Sequence, residues 1–231
     1  MCGRFSLSVP PDVLEARFDA EATAHVAPRH NIAPGQPVAA IRDDAPAEID
    51  QLEWGLLPGW VDDPDGYPSP INARVETLPE KASFRDAFAK RRCLVLADGF
   101  YEWQGRRGRK RPYRVERADG EPFAFAGLWE TWSPPSGATD DARRTTTIVT
   151  TGANDVVSPI HDRMPVMLEP GEERRWLAED DPAELQSLLD PYPDGLVRAY
   201  EVSTRVNDPA NDSAAVAEPL DHGQSGLGEF G

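Results

Sequence analysis

The sequence predicts an α+β fold built on a curved, mainly antiparallel sheet. Strand-like runs of β-branched and aromatic residues outnumber helical ones. Helices do not alternate with them, as a parallel doubly wound sheet would require. Proline (23) and glycine (18) cut the chain into short segments, the punctuation expected of strands joined by tight loops. At 231 residues the chain is long enough to bury a substantial core.

The elements follow in order. PPDVLEARF reads as a first short helix, with Val13, Leu14 and Phe18 at helical spacing. HNIAPGQP and WGLLPGW read as loops between short strands. LPEKASFRDAFAKRR is the clearest helical stretch: Phe84 and Phe88 fall four residues apart, and basic residues close its last turn. CLVLADGFYEW and PYRVERADGEPFAFAGLWETW read as strands, with ADG as the turn in each. SPPSGATDDA is a loop, TTTIVTT a β-branched strand, EERRWLA and PAELQSLL helices, and LVRAYEVS a late strand. The folded domain is expected to span residues 1–207. From Asp208 to Gly231 the small, polar, acidic composition predicts a disordered tail.

Composition excludes several classes. No apolar run is long enough to span a membrane, and no basic region with a following apolar stretch marks a secretory signal, so a cytoplasmic protein is expected. Two cysteines, Cys2 and Cys93, and four scattered histidines make neither a disulfide framework nor a spaced metal site. The net charge of −16, with only three lysines among 24 basic residues, suits a salty cytoplasm, a halophilic trait. At about 1 M salt the Debye length is about 3 Å, so repulsion from a polyanion would be short-ranged. Counterion release would contribute little there.

Cys2 is the first chemical candidate. A buried small hydrophobe is the ordinary role of a cysteine. Removal of Met1, however, would place an α-amine and a thiol on adjacent carbons, with reference pKa values of about 8 and about 8.5. Such a 1,2-aminothiol captures an aldehyde as an imine and closes it to a thiazolidine, or attacks an amide as a thiolate. Both chemistries stay open at this point. In PINARVETL, Asn72 and Arg74 alternate with apolar neighbours, as on one side of an extended segment. Glu102 lies mid-strand between Tyr101 and Trp103, where desolvation would raise its pKa towards general acid–base use. His161 in IHDRMPVML is flanked by charge, a setting for proton transfer as well as for a structural histidine. GRRGRKRPYR, with Arg106, Arg107, Arg109, Lys110, Arg111 and Arg114, is the basic island of an acidic chain and a candidate phosphate-facing turn. Trp54 and Trp60 are core residues or stacking surfaces for bases.

MCGRF, NIAPGQ, WGLLPGW, INARVET, ADGFYEW and HDRMPV, in this order, resemble the SRAP family, the SOS response-associated peptidases or abasic-site processing proteins. The resemblance covers about residues 1–207. It implies antiparallel strands in a barrel-like arrangement flanked by short helices, and covalent capture of abasic sites in single-stranded DNA. It implies a catalytic set of Cys2, Asn72, Glu102 and His161. Cys2 would form a thiazolidine crosslink, Asn72 would position the amine or sugar, and Glu102 and His161 would move protons. Arg4, Arg74 and Arg163 would hold phosphates, while Trp60 and the Asn31–Pro34 loop would crowd adjacent bases. It implies no cofactor and no metal, a monomer, association with the nucleoid at damaged DNA, and lyase or self-peptidase side activities. Val61 departs from the second aromatic that follows this tryptophan in relatives. An amidotransferase-like cysteine hydrolase and a non-covalent single-strand binder are the rival readings. The first is disfavoured by the lack of Asn-Gly and Gly-Asp pairs.

Overall fold

A computed structural model describes residues 2–105, 110–134 and 142–221. The chain runs through β1 (Phe5–Leu7), α1 (Pro11–Phe18), β2 (Glu21–Ala22), β3 (Arg29–Ile32), β4 (Pro37–Arg42), β5 (Ala45–Trp54) and β6 (Asn72–Arg74). It continues through α2 (Arg85–Lys90), β7 (Arg92–Ala97), β8 (Gly99–Gln104), β9 (Arg111–Arg117), β10 (Phe123–Trp132) and β11 (Arg143–Gly152). It closes with β12 (Arg163–Pro165), β13 (Met167–Leu168), α3 (Glu172–Ala178), α4 (Pro182–Ser187) and β14 (Val197–Glu201).

The mixed α+β class holds, and most strand pairs are antiparallel. One sheet has the order β14-β9-β8-β1-β3; the larger has β12-β11-β10-β7-β4-β5-β2. The larger sheet curls until β5 also meets β11, in parallel, at Glu53–Thr145 and Trp54–Thr146. Phe5 is the key between the sheets: its ring lies edge-on to Trp54 at 5.0 Å and to Phe125 at 5.7 Å, and all three are fully buried. Each such edge contact adds about 0.5–1.5 kcal/mol to the area term. The phenylalanine of MCGRF therefore anchors the chain start in the core.

The strand β11 is buried along most of its length, so its threonines need internal partners. The Thr145 hydroxyl accepts from Leu57 N at 2.8 Å, and that of Thr146 donates to the Leu128 carbonyl at 2.9 Å. β6 and β12 both pair with this strand, which makes it the spine that unites INARVET with HDRMPV.

Three local expectations need correction. The stretch 78–92 is helical only over Arg85–Lys90, although Phe84 and Phe88 are both buried as their spacing requires. Residues before it form a 3-10 turn at Val75–Thr77 and further turns. The first ADG is no hairpin, because β7 and β8 belong to different sheets and Asp98 is the crossing point. Its carboxylate accepts from the hydroxyls of Ser6 and Ser8, each at 2.6 Å, and pairs with Arg114 at 3.2 Å. A Cβ on Gly99 would lie 2.5 Å from the Arg114 guanidinium carbon, so a larger residue there would push Arg114 out of its pairing with Asp98. The segment after Asn207 is packed rather than disordered through Asp221, with a 3-10 turn at Ala214–Val216 and a bridge between Val202 and Pro219. Residues 222–231 lie outside the described residues. Among the described residues no helix is long and apolar enough to cross a membrane.

Candidate active site

β1 pairs antiparallel with β8, Phe5 against Phe100 and Ser6 against Gly99. Tyr101 N donates to the Arg4 carbonyl at 2.9 Å, which carries the pairing past the strand end. That register brings Gly3 and Cys2 alongside Glu102 and Trp103. Cys2 is fully buried, and its thiol donates weakly to the Arg4 carbonyl at 3.9 Å. Burial, reinforced by the nearby Glu102 carboxylate, pushes the thiol pKa far up, so the sulfur stays protonated.

Asn72 joins this pair from the larger sheet. Its Nδ2 donates to the Cys2 carbonyl at 2.8 Å, while its Oδ1 is buried with no hydrogen-bond partner among the described residues. The alternation read from the sequence holds in β6: Ala73 is buried between a half-buried Asn72 and an exposed Arg74. Glu102 is only 2% exposed. Desolvation raises its carboxyl above the usual carboxylate range, against an opposing pull from His161, which lies within electrostatic reach. Arg163 N donates to His161 Nδ1 at 3.0 Å, and the Asp162 carboxylate lies 2.9 Å from the same nitrogen. Cys2, Asn72, Glu102 and His161 thus converge on one place.

The expected DNA-facing residues divide. Trp60 is 58% exposed and stands edge-on to Tyr67 at 5.8 Å. Pro34 and Arg74 are also exposed. Val61 is buried with Leu57 and Trp132, so the departure at this position is filled by packing. Arg4 donates through Nη1 to Asn31 Oδ1 at 2.8 Å and to the Val206 carbonyl at 2.7 Å. Asn31 is fully buried and hydrogen-bonded on both amide atoms, so in this structure it presents no surface to a base. Arg163 forks onto the Glu76 carboxylate and also reaches the Thr150 carbonyl. In the basic island Arg114 is structural, held between Asp98 and Glu116, and Arg111 pairs with Glu201. Arg106, Arg107 and Arg109 lie outside the described residues.

Sequence reasoning missed Glu76, Thr150 and the chain from Val206 to Asp212, all of which hold candidate site residues through contacts distant in sequence. Among the described residues no group of three or more histidine, cysteine, aspartate or glutamate side chains could hold a metal ion.

The SRAP family, SOS response associated peptidase, matches residues 1–209, and the chain belongs to it. It is 42% identical over 228 residues to the abasic site processing protein YoqW of Bacillus subtilis, covering 94% of this chain and 99% of that protein. It is 32% identical over 232 residues to the abasic site processing protein YedK of Escherichia coli, covering 95% of this chain and all of that one. A crystal structure of a Bacteroides thetaiotaomicron protein superposes with a TM-score of 0.84 at 26% identity, over 95% of this chain and 100% of that one.

Proposed function

We propose that this protein processes abasic sites in single-stranded DNA by covalent capture on Cys2 after loss of Met1. The observation that carries the reading is the buried Cys2, tied by its carbonyl to Asn72 and set beside a carboxyl of raised pKa. It stands in a family whose relatives are named abasic site processing proteins.

The Cys2 amine attacks the aldehyde carbon of the ring-opened sugar, forming a carbinolamine. Loss of water gives the imine, and addition of the thiol across the C=N bond, sulfur to carbon and proton to nitrogen, gives the thiazolidine. The balance is aldehyde plus aminothiol to thiazolidine plus one water. Glu102 takes the proton from the attacking amine and returns it to the departing hydroxyl, a cycle that suits a carboxyl raised towards neutrality. The high thiol pKa sets the order, amine first and sulfur second. The open Oδ1 of Asn72 is an acceptor for an N–H of the freed amine. His161 exchanges a proton with the sugar oxygen through ring opening.

Trp60, Pro34 and Arg74 meet the flanking nucleotides. Arg163 exchanges Glu76 for a phosphate, while Arg4, tied to Asn31 and to the Val206 carbonyl, braces the chain next to Cys2 rather than contacting DNA. The protein acts as a monomer in the cytoplasm, at the nucleoid when DNA is damaged. β-Elimination from the imine is a minor lyase path that thiazolidine closure suppresses. The test compares Met1-processed protein with a form retaining Met1, each incubated with a single strand carrying one abasic site. Crosslinking by the processed form alone is expected. Equal crosslinking by the Met1-retaining form would exclude the amine and overturn the mechanism.

A further inference from the structure

The chain from Val202 to Val216 lies behind the two strands that carry Cys2 and Glu102. On β8, alternation turns Tyr101 and Trp103 away from the side that Glu102 faces. Tyr101 packs with Val202, Val206 and Val216, and Trp103 and Tyr200 pack against the same cluster. Trp103 Nε1 donates to Asn207 Oδ1 at 2.7 Å, and the Tyr101 hydroxyl donates to the His30 carbonyl at 2.7 Å. On the neighbouring strand, the Val206 carbonyl accepts from Arg4, two residues from Cys2.

Asp212 pins this segment. Its Oδ1 accepts from His30 N at 2.5 Å and from Asn31 N at 2.8 Å, and its Oδ2 pairs with Arg29, so it caps the edge strand β3. Asn31 reciprocates: its Nδ2 donates to the carbonyls of Asn211, Asp208 and Val206 at 2.8, 3.0 and 3.3 Å. Its Oδ1 holds Arg4. The route Asp212–Asn31–Arg4 therefore connects the late chain to the Cys2 strand through successive hydrogen bonds. Asn211 and Asp212 lie past the residues matched by the family, which end at 209.

We infer that Asp212 and Asn207 are positioning residues for the Cys2 reaction. They touch neither the aldehyde nor DNA. Asp212 fixes Arg4, and with it the approach of Cys2, from one side; Asn207 fixes Trp103, and with it Glu102, from the other. The role rests on the capture chemistry proposed above. A misplacement of about 1 Å at a reacting group can cost about 100-fold in rate, so loosening either pin is read in the chemical step.

The test uses the full Met1-processed chain and glycolaldehyde, a small probe that needs no DNA contact, with adduct formation followed by intact mass. Asp212→Ala is expected to capture the probe roughly 10- to 100-fold more slowly. Asp212→Asn keeps an oxygen for the two amides and is expected near the parent rate. Asn207→Ala, at an exposed position that no core packing depends on, should slow capture in the same direction. Affinity for an undamaged single strand should be unchanged in all three. Parent-like rates in Asp212→Ala or Asn207→Ala, or a matching loss of strand affinity and rate, would overturn the positioning role. A parent protein that takes up no aldehyde would overturn the capture reading itself, and the positioning role with it.

Discussion

Replacement of Glu102 by glutamine should move activity and stability in opposite directions. The carboxyl is 2% exposed, and desolvation raises its pKa in the folded chain. Above about pH 4.3, the ordinary glutamate value, the unfolded chain has lost this proton while the folded chain still holds it. Stability from this group is therefore complete below that pH and is lost as pH rises through the folded pKa. Each unit of elevation corresponds to about 1.4 kcal/mol at pH values above both pKa values. In a domain of this size 1 kcal/mol moves the melting temperature by about 2–4 °C. Glu102→Gln cannot ionise, so it should melt a few degrees above the parent at pH 8 and match it near pH 4. The same substitution removes the proton carrier, worth about 100- to 10,000-fold in rate. The assay pairs thermal melts across pH with single-turnover crosslinking to an abasic single strand. A variant that crosslinks at the parent rate would remove Glu102 from the chemistry. One that melts lower at pH 8 would show the ionised carboxylate to be a net stabiliser and refute the desolvation argument.

Other residues separate binding from folding. Trp60→Ala should change stability by less than about 0.5 kcal/mol, because the ring is largely exposed. It should weaken single-strand binding by about 1–3 kcal/mol if a base stacks there, as fluorescence anisotropy would report. Arg114→Met leaves Asp98 and Glu116 without their shared cation and should cost about 3–5 kcal/mol in urea unfolding. Arg114 and the Ser6 and Ser8 hydrogen bonds outweigh desolvation and hold Asp98 below the usual aspartate range. Its stabilisation is therefore present above about pH 3.9 and is lost as pH falls through the lower folded value, so acid titration of the parent should report it. The Arg163 hydrogen bond lowers the Glu76 pKa in the same sense. Because Glu76 is exposed, Glu76→Gln should cost no more than about 1 kcal/mol. It should tighten binding to a single strand at low salt by freeing Arg163, and unchanged affinity would mean that the pair does not compete with phosphate.

Much of the fold was legible because local pattern and burial agree. The β-branched run TTTIVTT forms a strand, INAR keeps its alternation, PPDVLEARF forms a helix that buries Leu14 while Val13 stays exposed, and Glu102 is desolvated as read. What failed to show was long-range pairing. Nothing near ADGFYEW reveals that Asp98 carries the chain from one sheet to the other, because Ser6, Ser8 and Arg114 arrive from distant segments. Arg114 reads as a basic surface residue until Asp98 and Glu116 flank it. Asn31 reads as a loop residue until three carbonyls of the late chain surround its amide. Those carbonyls also explain why a stretch too polar to fold alone is nevertheless packed through Asp221. Of the site itself, the four chemical candidates were visible one by one; their convergence depends on β11 pairing with both β6 and β12.

The most direct test is the intact mass of the species formed between Met1-processed protein and a single strand with one abasic site, before and after borohydride. The account predicts a heat-stable adduct whose mass is the sum of both partners less one water, absent in Cys2→Ala before borohydride and, in the parent, unchanged by borohydride because the imine has closed to a thiazolidine. An adduct that gains two hydrogens on reduction would place the chemistry at an open imine, and an adduct formed equally by Cys2→Ala would contradict capture on Cys2.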